Sequence, residues 1–253
     1  MPHLCIQALG RYIQPGLLGH AHEIVIFHQV GRCEGDEKRE PGDPVGQAGR
    51  YSRCVGSAAG PTDDSDYSYE WPIETFQPWV DFAGENGMYV ILDLQSGRDD
   101  FLSQAVQYEE LLKLPHVGLA LDPEWRLEDD QVHLEQIGSV GGAEVNQVID
   151  WLGDLVRDNG LPQKMLIVHQ FQHRMIVDRE TIEQRPELQV VIQMDGQGPI
   201  PTKEETYSVL TSGTEDAHWR WGWKNFFDED VPGPPSPASV ITKEPALIYI
   251  SYQ

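Results

Sequence analysis

From Tyr67 onward the apolar residues follow two alternating patterns, one with a helical period and one with no period. The segment IETFQPWVDFAGENG (73–87) puts Ile73, Phe76, Val80 and Ala83 on one stripe with Gly87 behind it, which predicts a helix closed by a glycine. MYVILDLQ (88–95) follows at once as a strand. DDFLSQAVQYEELLK (99–113) predicts a second helix, because its opening acids suit a helix N-terminus and Phe101, Leu102, Ala105, Tyr108, Leu111 and Leu112 share one side. The run 117–121 within HVGLALDPEWRL (116–127) predicts a strand that ends in a polar cluster. GGAEVNQVIDWLGDLVRDNG (141–160) predicts a long helix, with Val145, Val148, Ile149, Leu152, Leu155 and Val156 at core spacing.

Further on come a strand at KMLIVHQF (164–171), a short helix at 179–185 and a strand at ELQVVIQMDGQG (187–198). A helix at KEETYSVLTSG (203–213), a short strand within WGWKNFFDED (221–230) and a last strand in PALIYISYQ (245–253) complete the series. PGPPSPAS (232–239) reads as a stiff proline-rich loop. The strands are near-continuous runs of Val, Ile, Leu and Met. Runs without polar alternation are buried on both faces, as in a parallel sheet wrapped by helices. Two architectures remain, an open doubly wound sheet and a (β/α) barrel. No GxGxxG or P-loop pattern follows any strand, which removes support for the nucleotide-binding versions.

Residues 1–66 read differently. IVIFHQV (24–30) could form a strand, but GRCEGDEKREPGDPVGQAGR (31–50) is rich in glycine and charge and has neither period. The expected division is a loop-rich N-terminal segment, 1–65, and an α/β barrel-like domain, 66–253. Cys5, Cys33 and Cys54 all fall in the first part, with no CxxC pair, so no structural zinc site is expected.

Charge narrows the partners. A formal net charge of -23 over 253 residues argues against the phosphates of nucleic acids and against anionic membrane surfaces. It suits a neutral or cationic small ligand. No apolar run is long enough for a membrane span, and MPHLCIQALGRYIQ lacks the basic start and apolar stretch of a secretory signal.

In parallel α/β architectures the functional side chains gather at the C-terminal ends of the strands. Read in order, these ends carry Asp93 and Gln95, Asp122 and Glu124, His169 and Gln170, Asp195, Lys224 with Asp228, and Tyr252 with Gln253. Any one of them is an ordinary strand-end residue; the recurrence is the signal, since buried carboxylates are costly unless paired or working. Glycoside cleavage asks for two carboxyls across the scissile bond. Glu124, as the acid/base, and Asp195, as its partner, are the preferred pair, with Asp93 and Asp122 next. His169, Gln170, Gln95, Trp125, Arg126, Lys224 and Tyr252 are the candidates for holding substrate, and Trp125 and HWRWGW (218–223) offer flat faces for a sugar ring.

Two other readings stand beside this one. A metal-dependent ester or phosphoester hydrolase would use Asp93, Asp122, Glu124, His169 and Asp195 around a divalent cation; the leading reading needs no cofactor. A non-catalytic sugar- or envelope-binding protein would keep the mouth for recognition alone. Serine catalysis finds no GxSxG, and LQSGR (94–98) is only a Ser-Gly turn.

YVILDLQSGR, VGLALDPEWRL, EVNQVIDWLGDLV, LPQKMLIVHQF and the closing ISYQ together resemble recurrent segments of a family of uncharacterised bacterial barrel-like proteins, often secreted or lipid-anchored. The resemblance runs from about Asp66 to the C-terminus. It implies a TIM-barrel-like fold, a site at the strand ends and an extracellular or envelope location; it supplies no substrate. Members of that family carry two further strands before a segment like DYSYE (66–70), and residues 1–60 do not read like them. The expectation is a barrel that is incomplete, has atypical N-terminal strands or is preceded by a disordered segment, its parallel edge covered or closed by a homodimer.

Overall fold

The structure, a computed structural model, describes residues 62 and 65–253 together with the backbone of three earlier strands. The first half contains β1 (Ala8–Tyr12), β2 (Ile24–His28), β3 (Cys54–Ala58), β4 (Ser68–Glu70), α1 (Ile73–Glu85), β5 (Val90–Leu94), α2 (Phe101–Gln107), α3 (Glu109–Leu112) and β6 (Val117–Leu121). The second half contains β7 (Val140–Gly141), α4 (Gly142–Asp158), β8 (Lys164–Gln170), β9 (Ile176–Val177), β10 (Leu188–Met194), α5 (Ile200–Thr211), β11 (Arg220–Asn225), α6 (Pro237–Val240) and β12 (Leu247–Tyr252).

Ten strands make one sheet in the order β1-β2-β12-β11-β10-β8-β6-β5-β3-β4. From β5 to β12 the main strands are all parallel, and neighbours in the sheet are neighbours in the chain once the short β7 and β9, which pair only with each other, are set aside. β3 adds in parallel to β5 and β2 adds in parallel to β12, while β4 and β1 close the two margins as antiparallel strands. Both edges of the parallel run are thus covered by strands of the same chain, one of the outcomes expected for its parallel edge. Of the three early strands the hydrophobic pattern predicts only β2. The stretch 31–50 lies outside the described residues, as do Cys5 and Cys33.

The six-stranded parallel run is curled, and its two faces hold different cores. Successive side chains of a strand point to opposite faces. Ile91, Ala120, Ile167, Val191 and Tyr249 point inward and form a small cluster of their own, each without exposed surface. Leu92, Leu119, Val168, Ile192, Trp223 and Ile250 point outward into the large core shared with the helices. Burial on both faces is the reason these strands show no polar alternation. α4 contributes the six apolar residues its period predicts, all buried. No helix among the described residues is long and apolar enough to cross a membrane.

Four elements depart from their sequence expectations, each for a local reason. The helix expected over 99–113 breaks at Tyr108, which is buried and sends its hydroxyl to the Trp71 carbonyl at 3.0 Å. Only a 3₁₀ turn, Arg179–Thr181, forms where a helix was expected over 179–185, because the Arg179 guanidinium turns inward to the Gln170 side chain and the Leu210 carbonyl. α5 starts at Ile200, ahead of the expected 203, since Pro201 is tolerated in a first turn. The proline-rich loop ends in the short α6, where the Ser236 hydroxyl accepts from the Ser239 amide.

Lys164 closes the end of the sheet remote from the polar strand ends. It is fully buried and donates to the carbonyls of Leu114 and Val117, both at 2.7 Å. Burial lowers its pKa from 10.5 to about 8. Between these values the unfolded chain binds more protons than the folded one, so folding gains stability as pH rises from about 8 to 10.5. Urea titrations should therefore show the parent chain gaining on Lys164→Met across that window and holding a constant difference below it. A difference independent of pH would contradict the assignment.

Candidate functional site

One layer above the inner apolar cluster the same alternation changes character. Two residues beyond Ile91, Ala120 and Ile167 stand Asp93, Asp122 and His169, and four beyond Val191 stands Asp195. Parallel register pairs Gln193 with His169 and Gly222 with Gln193, which brings Lys224 beside Asp195. Five ionisable side chains from five consecutive strands therefore meet on one face. Asp93, Asp122, His169, Asp195 and Lys224 are each less than a tenth exposed.

His169 sits between two carboxylates: Nδ1 lies 2.9 Å from Asp195 Oδ2 and Nε2 lies 3.3 Å from Asp93 Oδ2. The other oxygen of Asp195 is 2.9 Å from Lys224 Nζ. Burial opposes the charge on His169, but Asp195 and Asp93 overcome it and hold the imidazole protonated, well above its usual range. Burial would also raise Asp195, yet Lys224 and His169 outweigh it and draw the carboxyl down to about 2. Lys224 loses solvation in the same way and is held charged by Asp195. Asp122 goes in the opposite direction: burial pushes its carboxyl well above the ordinary range, with Glu124, Asp93 and Asp195 adding to the rise against the pull of His169. One cavity thus holds a carboxyl drawn toward its ionised form and another pushed toward its protonated form.

The DPEWR sequence has a structural explanation at every position. Asp122 extends the ladder through its amide, 2.9 Å from the Leu94 carbonyl, then caps the 3₁₀ turn Pro123–Trp125 by accepting from the Glu124 amide at 3.1 Å. Pro123 pre-sets that turn. The turn carries Glu124 and Trp125 over the cavity. Arg126 faces away, with Nε 3.0 Å from Glu144 Oε1, and the same Glu144 oxygen accepts from the first amide of α2. Arg126 therefore fastens the turn to α4 and α2 and does not line the cavity.

A cavity of about 820 Å³ opens over this cluster, in the upper part of the range usual for small-molecule sites. Asp93, Gln95, Asp122, Glu124, Trp125, Asp195 and Lys224 line it. His169 lies just beneath. Gln170 points to the outer face, fully buried, where its Nε2 donates to the Gln172 carbonyl at 3.2 Å. Tyr252 also faces outward, stacked on Phe227. Trp219, Trp221 and Trp223, expected as sugar-stacking faces, are at most 6% exposed and belong to the outer core, Trp221 and Trp223 against the edge of Tyr207. Lys224 pairs with Asp195 and not with the exposed Asp228.

Sequence reasoning missed a second buried ion pair. Lys203 Nζ donates to both oxygens of Asp230, at 2.9 and 2.8 Å, and to the Lys224 carbonyl at 2.9 Å, fixing the loop after β11 against α5. Gln253, read from sequence as a strand-end residue, lines the cavity, and so do Phe171, Phe226 and Gln197, which the sequence did not mark. They come from loops beyond the strands, where no periodicity marks which side chain turns inward. Among the described residues no three of His, Cys, Asp and Glu form a group able to hold a metal ion, and both ring nitrogens of His169 face carboxylates. No family model, curated protein or solved structure matches this chain.

Proposed function

We propose that the chain is a hydrolase of glycans or glycosides built on a TIM-barrel-like (β/α) frame. The frame is suggested by the cyclic strand order: chain neighbours are sheet neighbours, and β2, the first parallel strand, lies beside β12, the last. The resemblance carried by the strand-end segments agrees with it. The chemistry rests on the opposite surroundings of two carboxyls in one cavity: Asp195 lies 2.9 Å from both Lys224 Nζ and His169 Nδ1, which draw it down, whereas burial pushes Asp122 up. Environments that push two acids apart in this way define a proton donor and a charge stabiliser.

Asp122 is the general acid toward the leaving oxygen. Glu124, on the next turn and lining the same cavity, is the carboxylate that attacks or activates water. Asp195, preferred from sequence as the partner of Glu124, is too well held by Lys224 and His169 to accept a proton; it stabilises the positive charge that develops on the sugar ring. The lining suits a polyol. Buried acceptor atoms of Asp93 and Gln253 have no donor among the described residues, and sugar hydroxyls supply donors.

A panel of aryl glycosides tests the reading. At least one should be hydrolysed, with Glu124→Gln reducing turnover by roughly 10²–10⁴-fold at an almost unchanged melting temperature. Turnover abolished by EDTA would favour the metal-dependent alternative. A rise in melting temperature with sugars but no hydrolysis would leave a binding protein.

A further inference from the structure

Trp125 does not stand alone on the rim. His133 stacks on it at 5.0 Å between ring centroids and 27° between planes, and Tyr67 lies parallel to His133 at 6.4 Å and 8°. The Arg98 guanidinium covers Tyr67 at 4.7 Å from the ring centre. This column draws on three separate loops, and each is locked to the next. Leu127 donates to the Gly97 carbonyl and Arg98 to the Asp66 carbonyl, both at 2.6 Å, while Gly138 closes the loop that carries Trp125 and His133 on itself by donating to the Glu124 carbonyl at 2.7 Å. Gly97 has φ +59, and a Cβ there would lie 2.1 Å from the Asp66 carbonyl oxygen, so the loops meet more closely than any other residue allows. Tyr67 and Leu134 are themselves held at φ 64 and 65, a conformation that such residues adopt only when their surroundings impose it.

A long cation, a phenol, an imidazole and an indole stacked in series form a rigid backing for one face of Trp125, while the residue itself lines the cavity next to Glu124. An aromatic plane fixed in advance loses little freedom when a ring is laid on it. We infer that Trp125 is a specificity-determining platform on which a second sugar ring of an oligosaccharide stacks, beside the ring at Asp122, with His133 and Tyr67 as positioning residues. This rests on the glycoside-hydrolase reading and narrows its substrate to chains of two or more sugars. The cavity volume accommodates such a chain, and the open rim at Leu134, 67% exposed, leaves it room to continue outward.

Calorimetric titration of the Asp122→Asn chain with cellotetraose, chitotetraose and maltotetraose, each against its disaccharide, tests the inference. One series should show the tetrasaccharide binding at least roughly 10-fold tighter than the disaccharide, and Trp125→Ala in the same background should remove that preference. His133→Ala should weaken tetrasaccharide binding several-fold and His133→Phe restore it, a rescue that stability alone would not produce. Equal binding of short and long sugars, a length preference surviving Trp125→Ala, or no binding in any series would overturn the platform. Parent-chain hydrolysis of aryl monosaccharides with any of these outcomes would leave the hydrolase reading standing and the platform refuted. Trp125-dependent binding without hydrolysis by the parent would do the reverse.

Discussion

Asp122→Asn is expected to reduce glycoside turnover by roughly 10²–10⁴-fold and, at neutral pH, to make the folded chain more stable than the parent. Both effects follow from the burial that holds the Asp122 carboxyl protonated. Asparagine has almost the same shape and keeps an oxygen for the Glu124 amide, now 3.1 Å away, so the 3₁₀ turn keeps its cap. What it lacks is a proton that can be given to a leaving group.

The stability sign comes from comparing the two states of the chain. Unfolded, Asp122 ionises near 3.8; folded, it holds its proton to well above that value. Above pH 3.8 the folded chain binds more protons than the unfolded one, so the parent loses stability as pH rises until the folded carboxyl itself ionises. Asp122→Asn removes this loss. Denaturant titrations should show the two chains level below about pH 3.8 and the variant ahead by a growing margin above it. Asp195 works in the opposite sense: drawn down to about 2, it contributes stability above 3.8 that disappears as pH falls toward 2. In turnover, the parent's alkaline limb reports Asp122. A variant that hydrolyses as fast as the parent would remove Asp122 from the chemistry, and one less stable at neutral pH would mean that Asp122 is ionised in the folded chain.

The helices and strands from Tyr67 onward were legible because burial on two faces and helical stripes leave patterns in the apolar residues. α1, β5, β6, α4, β8, β10 and β12 fall where those patterns put them. The side chains brought together were legible for a related reason: alternation and parallel register place Asp93, Asp122, His169 and Asp195 on the inner face once the strands are known. Orientation at the last residue of a strand was not. Gln170 and Tyr252 differ from His169 and Ser251 by one position, and a single step turns a side chain from the cavity to the helices. The tryptophans of β11 fail the same way, since Trp221 and Trp223 share the outward parity and only Lys224 turns inward. The His169 clamp and the Lys203–Asp230 pair join residues far apart in the chain, and only the folded structure reveals partners of that kind.

Lys224→Met is expected to destabilise the chain by roughly 3–5 kcal/mol, the usual loss when one partner of a buried ion pair is removed. Methionine fills most of the lysine's volume and keeps an apolar stem near Phe226, so packing is a minor part of the change. The dominant part is electrostatic. Asp195, 8% exposed, loses the cation 2.9 Å from Oδ1 and keeps His169, which it shares with Asp93, and the weaker pull of Lys203. Its carboxyl must then rise from about 2, and the variant should lose stability at a higher pH than the parent as acid is added. Removing the orphaned charge should restore most of the loss, so Lys224→Met with Asp195→Asn should be more stable than Lys224→Met alone. A double-mutant cycle in urea at pH 7 reads this as a coupling energy; losses that simply add would mean that the two side chains do not depend on each other. The surface pairs of Lys113 with Glu109 and Glu110 provide the contrast: they are equally short, at 2.7 and 2.8 Å, but open to solvent, and breaking them should change little. The same charge separation contributes strongly only where water has been excluded, and the strand ends of this sheet are such a place.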